Sequence, residues 1–247
     1  MRNIRLVIEY AGTHYCGWQT QTRNTNTPSI QHTIEKTLRK VLHEKIKLFG
    51  AGRTDAGVHA FGQVANFHTQ ARILPEKLQR ALNALLPRDI AIIQAEEVPL
   101  SFHSRFHAKA KHYRYTILNR THRSSFMAEQ TYLCSFGLDT KRMQEEAGSL
   151  IGTHDFRSFQ ASGNKVKEAV RTVRRLTVSR AGDLVRIDIE ADGFLYNMVR
   201  NIAGTLIEVG RHKFPRGSLK RILNAKDRRL AGPTAPAHGL CLVKVKY

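Results

Sequence analysis

Cysteine is scarce in this chain. Cys16, Cys134 and Cys241 are an odd number at wide spacing, and no C-x-x-C pair occurs. Neither a disulfide framework nor a cysteine zinc site is expected, and a reducing compartment fits. Long apolar runs are also missing: none approaches the ~18 residues of a membrane span. The opening MRNIRLVIEY lacks the apolar core of a signal peptide. A soluble, cytoplasmic protein with no membrane association is expected. Acidic residues are few as well, 20 Asp and Glu against 40 Lys and Arg, for a net charge of +20 and a pI of about 10.4. Such an excess repels itself in a compact chain and points to a polyanionic partner. The basic residues are spread along the chain and not gathered in one amphipathic helix, which favours nucleic acid over a membrane surface.

Phosphate loops and metal sites are absent from the motifs too. Gly50 and Gly52 form a G-x-G, but Asp55 stands where a dinucleotide fingerprint needs its third glycine. Gly57 is followed by Val58, where a P-loop needs Lys. His103 and His107 are four apart on a stretch that reads as strand and loop, so they make no helical metal pair. No nucleophile elbow is present. The sequence offers motifs for no cofactor and no metal.

What is present is an alternation of strands and amphipathic helices. Ile4, Leu6, Ile8 and Tyr10 alternate with polar residues, the period of a half-buried strand. Residues 11–27 read as a loop. Thr27 as cap and Pro28 in the first turn predict a helix over Pro28–His43. Strands are predicted over Val58–His68, Ile90–Val98, His107–Leu118 and Leu240–Tyr247, and a hairpin over Val170–Ser179 and Leu184–Ala191. Further helices are predicted over Leu74–Leu86, from Asp139 to Ile151 with Gly152 as stop, through Val199–Val209 with Gly210 as stop, and over Arg216–Ala225. The expected fold is α+β: two similar units, residues 1–105 and 106–247, whose mainly antiparallel strands join in a central sheet with the active-site cleft between them.

Three stretches carry chemistry. GAGRTDAGVHA, Gly50–Ala60, sets one carboxylate, Asp55, among residues with little side chain. Asp55 is either a turn residue or a group held out to react as nucleophile or base. Arg53, two positions away, only shares its side on an extended chain. Phe102–Arg123 contains Arg105, Lys109, Lys111, Arg114, Arg120 and Arg123 with no acid, and aromatics are interleaved. Cations for phosphates and rings for an unstacked base fit RNA contact. Asp192–Gly210 places Arg200 early in a helix, where the dipole disfavours a cation and a carboxylate partner would help it.

Together these stretches resemble the TruA family of tRNA pseudouridine synthases. GRTDAGVHA, KHYRYTI at Lys111–Ile117 and FLYNMVRNIAGTL at Phe194–Leu206 are similar to the family's aspartate loop, tyrosine strand and arginine helix. GTHYCGWQTQ, HDFRSF and GLCLVKVKY fit in order, so the resemblance spans nearly the whole chain. Ala11 departs from it, standing where an acid is expected before Gly-Thr. The resemblance implies that Asp55 is the catalytic aspartate, that Tyr113 contacts the target uracil and that Arg200 pairs with the aspartate. It implies that Arg53 positions RNA and that Leu240 lies on the wall of the base pocket. His59, within the aspartate motif, and Lys111 and Arg114, on the tyrosine strand, are the further candidates for substrate binding. The implied reaction isomerises uridine at positions 38, 39 and 40 of the tRNA anticodon stem-loop. The implied assembly is a homodimer. The same basic surface could serve a non-catalytic RNA-binding protein or chaperone, and the GRTDAG loop argues against that alternative.

Overall fold

Ile4, Leu6, Ile8 and Tyr10 are all buried on one face of strand β1 (Arg2–Tyr10), as the alternation requires. The computed structural model describes residues 1–19, 27–161 and 168–247; the part of the expected first loop at residues 20–26 lies outside them. β1 lies between β3 (His59–Thr69) and β4 (Ile90–Val98), antiparallel to both, with Leu6 opposite Ala65 on one side and Ala95 on the other. Phe49–Gly50 forms a short β2 on β3. Helix α1 (Ile30–Leu42) buries Ile30, Ile34, Leu38 and Leu42, and α2 (Pro75–Leu85) buries Leu78 and Leu82. The cap of α1 differs from the expectation. Ser29, not Thr27, holds the extended cap conformation and accepts the His32 N–H at 3.1 Å, so Pro28 precedes the helix.

Two irregularities shape this sheet. Pairing of β1 with β4 shifts between Val7 and Ile8, which leaves Ile93 unpaired. Gln79 and Asn83 of α2 cover the gap: Gln79 Nε2 donates to the Ile92 and Ile93 carbonyls, and Asn83 bonds both the N–H and the carbonyl of Ile92. On the other side the register slips between Ile8–Gln63 and Tyr10–Ala60, a bulge at Phe61 and Gly62. That bulge turns the buried Gln63 so that its Nε2 reaches the Gly52 carbonyl at 2.8 Å.

In the remainder of the chain β5 (Ala110–Leu118) pairs antiparallel with β9 (Leu184–Ala191), β9 with β8 (Val170–Ala181), and β8 with β7 (Gly152–Asp155). A two-residue turn, Gly182-Asp183, closes the β8–β9 hairpin. β6 (Tyr132–Leu133) runs parallel, beside β5. Helix α3 (Thr140–Ala147) is capped by Asp139 as expected, but it ends in a 3-10 turn at Gly148–Leu150, and the unforeseen β7 begins at Gly152. Helix α4 (Met198–Gly210) is buried nearly all round, and α5 (Ser218–Ala225) starts on the Glu146 carboxylate, which accepts the Leu219 N–H at 3.1 Å. The last strand, β10, is Leu240–Lys246.

The chain divides into two compact units: Met1–Lys109 with Leu242–Tyr247, and Ala110–Cys241. Each is α+β with mainly antiparallel strands. Relative to a boundary at 105, the turn after β4 belongs wholly to the first unit. The end of the chain returns to that unit because Lys109 N–H donates to the Lys246 carbonyl and Tyr247 hydroxyl to the Ser104 carbonyl.

One ion cluster on β5 and β9 makes a pH prediction. Asp188 is buried and accepts from His112 Nε2 at 2.6 Å and Arg114 Nε at 3.0 Å. Burial alone pushes its carboxyl pKa up, but the hydrogen bonds and charges of His112 and Arg114 outweigh this and hold it below the usual range. A depressed folded pKa gives stability that is full above the unfolded value of about 4 and lost as pH falls through the folded one. Asp188→Asn should cost about 2 kcal/mol at pH 7, and that gap should shrink toward pH 3. Urea midpoints at both pH values check this; a gap that stays constant contradicts the ion cluster as its source.

Candidate active site

The aspartate loop is built on rigid backbone. The Val58 N–H closes a turn on the Asp55 carbonyl at 3.1 Å, and Gly57 at its third position has φ +77°, the value a type II turn demands. Thr54 beside it is buried. Its carbonyl accepts the Trp18 N–H at 3.0 Å, and its hydroxyl shares a 2.8 Å hydrogen bond with Tyr10. His59 is buried and accepts the Gly12 N–H at Nδ1, 3.1 Å away. Ala51 N–H donates to Val64. The Asp55 side chain is half-buried, and Arg53 is exposed.

Gly50 of this loop has a structural cause that sequence reasoning missed. A Cβ on Gly50 would lie 2.4 Å from Trp18 Nε1, so the one tryptophan of the chain lies directly on that glycine. Segment Gly12–Trp18 therefore backs the aspartate loop: Trp18 lies on Gly50 and donates to the Thr54 carbonyl, and Gly12 donates to His59. Its Gly-Thr-His-Tyr-Cys-Gly-Trp pattern was the available signal. At Ala11, where an acid was expected, the backbone N–H donates to the Asp89 carbonyl, while the Asp89 carboxylate accepts the Tyr15 hydroxyl at 2.6 Å.

In the second unit Tyr113 is buried on β5, its ring edge-on to Phe194 at 5.1 Å. Lys111 shares its face of the strand. Arg114 lies on the opposite face and is paired with Asp188. Arg200, in the first turn of α4, donates through Nε to the Ala235 carbonyl at 2.7 Å and through Nη1 to Asn197 Oδ1 at 3.1 Å. The Ala235 N–H returns a bond to the Arg200 carbonyl. The strap carrying Ala235 is held by a second group. Fully buried Asn201 accepts from Arg228 and Thr234, and Arg228 also donates to the Ala231 and Gly232 carbonyls. This network, too, was not foreseen. The strap ends where the buried Leu240 opens β10, and Tyr115 hydroxyl donates to the Pro236 carbonyl. The Arg200 charge is felt nearby: burial and then Arg200 lower the His238 pKa.

Among the described residues no three His, Cys, Asp or Glu side chains gather as a metal site, and no helix is long and apolar enough to cross a membrane. A family model described as tRNA pseudouridine synthase matches residues 6–107 and 147–247. The chain belongs to this family. Its members are isomerases that convert uridine to pseudouridine. The chain is 48% identical to tRNA pseudouridine synthase A of Thermoanaerobacter sp. (strain X514) and 47% identical to that of Acetivibrio thermocellus, in each case over 247 residues and the whole of both chains. A 45% identical relative of the same name, again over the whole of both chains, comes from Clostridium acetobutylicum.

Within this pseudouridine synthase the residues expected at the site divide between the units. Asp55, Arg53 and His59 lie in the first; Lys111, Tyr113, Arg114, Arg200 and Leu240 lie in the second. His59 bonds the backbone of the supporting segment, and Arg114 serves an ion cluster on the face away from Tyr113.

Proposed function

We propose that this enzyme isomerises uridine in the anticodon stem-loop of tRNA, at positions 38 to 40, with Asp55 as the group that engages the target nucleotide. The observation that carries this reading is the fixing of Asp55: a half-buried carboxylate on a turn whose neighbours are locked by Trp18, Tyr10 and Val58. A reacting group gains most when its backbone is already in place. Arg200 keeps that carboxylate ionised, and Tyr113, braced by Phe194, covers the extruded uracil. Leu240 forms the wall of the base pocket. Exposed Arg53, and half-buried Lys111 on the Tyr113 face, meet phosphates.

The reaction breaks N1–C1′, turns the uracil and forms C5–C1′. The proton on C5 leaves and N1 gains one, so atoms balance without oxidant or cosubstrate. Asp55 attacks C1′, adds at C6 or removes the C2′ hydrogen; the three routes share the same products. The enzyme acts as a cytoplasmic homodimer, as the family resemblance implies. The test is tritium release from tRNA labelled at uracil C5, with EDTA present and nothing else added. Release, with pseudouridine mapped to positions 38–40, supports the reading. Tight tRNA binding without release overturns it in favour of a non-catalytic RNA-binding protein.

A further inference from the structure

Two buried asparagines and a buried serine in the first unit all serve one surface turn. Asn3, Asn66 and Ser104 are at most 1% exposed. Asn3 Nδ2 donates to the Pro99 and Phe102 carbonyls at 3.0 and 2.9 Å; Asn66 Nδ2 donates to Asn3 Oδ1 at 3.0 Å; and Ser104 N–H donates to Asn66 Oδ1 at 2.9 Å. Ser104 hydroxyl donates to the Phe49 carbonyl, and Tyr247 hydroxyl donates to the Ser104 carbonyl. Buried polar groups are costly unless satisfied, and a fully satisfied network fixes one geometry. Here it fixes Phe102–His107. His103 and His107 add to it, since the Arg105 N–H donates to His103 Nδ1 and the His107 N–H to the His103 carbonyl.

What this rigid turn displays is an aromatic row between cations. Phe49 and His103 have ring centroids 5.2 Å apart, and His103 and Phe106 4.3 Å apart at a tilt of 35°. Lys47 Nζ lies 5.4 Å from the Phe49 centroid at one end, and the Arg105 guanidinium 6.0 Å from Phe106 at the other. Phe106 is 75% exposed, so the ring has His103 on one side and is otherwise largely open to solvent. Burial and the charges of His107 and Arg105 keep the His103 ring toward its neutral form, which suits stacking. An open ring flanked by cations matches an unstacked base and its phosphates.

We propose that Phe102–His107 is a second RNA contact of this enzyme, in which Phe106 stacks on an unpaired base other than the one isomerised and Arg105 and Lys47 hold the flanking phosphates. It presupposes RNA as substrate, as proposed above. The test uses the full-length enzyme with tritium-labelled tRNA, and the wild type beside Phe106→Ala, Phe106→Trp and Arg105→Gln. Phe106→Ala should raise KM and tRNA Kd about ten-fold with kcat unchanged, and Phe106→Trp should restore both. Arg105→Gln should lessen the slope of log Kd against log salt by about 1, whereas Phe106→Ala should leave that slope alone. Transcripts with 2-aminopurine at single unpaired positions should show quenching at one position, lost only in Phe106→Ala. Normal KM and Kd in Phe106→Ala, with the wild type turning over, overturn the platform. Weakened binding in that variant when the wild type releases no tritium leaves the platform standing and removes the isomerase reading. Altered sedimentation of Phe106→Ala with unchanged RNA affinity overturns the proposal and assigns the ring to contact with a second copy.

Discussion

Asp55→Asn is expected to lower pseudouridine formation by at least about 10³-fold while tRNA affinity stays within a few-fold of wild type. Asparagine matches aspartate in size, and the turn is closed by the Val58 N–H on the Asp55 carbonyl, a bond the change leaves in place. The loop is further held by Thr54, Ala51 and Gly52, none of which the change touches. Fold and phosphate contacts should therefore survive, and only the nucleophilic or basic oxygen is lost. Single-turnover tritium release and filter binding on the same preparation separate the two effects. A variant that loses binding by an order of magnitude but, at saturation, still turns over would make Asp55 a turn residue.

Much of this arrangement was legible because periodicity and turn chemistry are local. Ile4 to Tyr10 alternate, Ile30 to Leu42 recur at helical spacing, and the hairpin turn at Gly182 announces itself. The boundaries that moved have two causes, one a local choice between neighbouring caps and the other a long-range partner. Ser29 outcompetes Thr27 because its side chain meets His32 N–H, and β7 exists only because β8 offers it a ladder. The site shows the same division. Asp55, Tyr113 and Arg200 stand out as residue types in short motifs. Asn201, Arg228, Trp18 and Asn66 act through contacts with residues tens of positions away, and a linear reading gives them no distinguishing mark. Arg114 has a partner that a linear reading also does not show. A basic residue between two tyrosines suggests RNA contact, yet strand alternation turns it to the other face, where Asp188 on β9 occupies it.

Arg200→Lys is the second large effect, with kcat expected to fall about 10²-fold. Within its own unit the guanidinium donates to the Ala235 carbonyl through Nε and to Asn197 Oδ1 through Nη1. If the guanidinium also meets the Asp55 carboxylate, as proposed, one ammonium on a flexible stem cannot serve all of these acceptors. Some of the loss would come from a looser strap, so a fall in kcat alone does not isolate the pairing with Asp55. The pH profile does. An arginine beside a carboxylate lowers its pKa, and removing a well-placed guanidinium lets that pKa rise. If Asp55 reacts as proposed it does so ionised, and the acidic limb of kcat/KM should then move to higher pH in Arg200→Lys. A strap that is merely displaced would scale the whole profile down and leave the limb where it is. Asn201→Ala, which disturbs the strap from the other side without touching the guanidinium, supplies that control. If both variants leave the limb in place, Arg200 is a structural brace for the strap, and the group that keeps Asp55 ionised must be sought elsewhere.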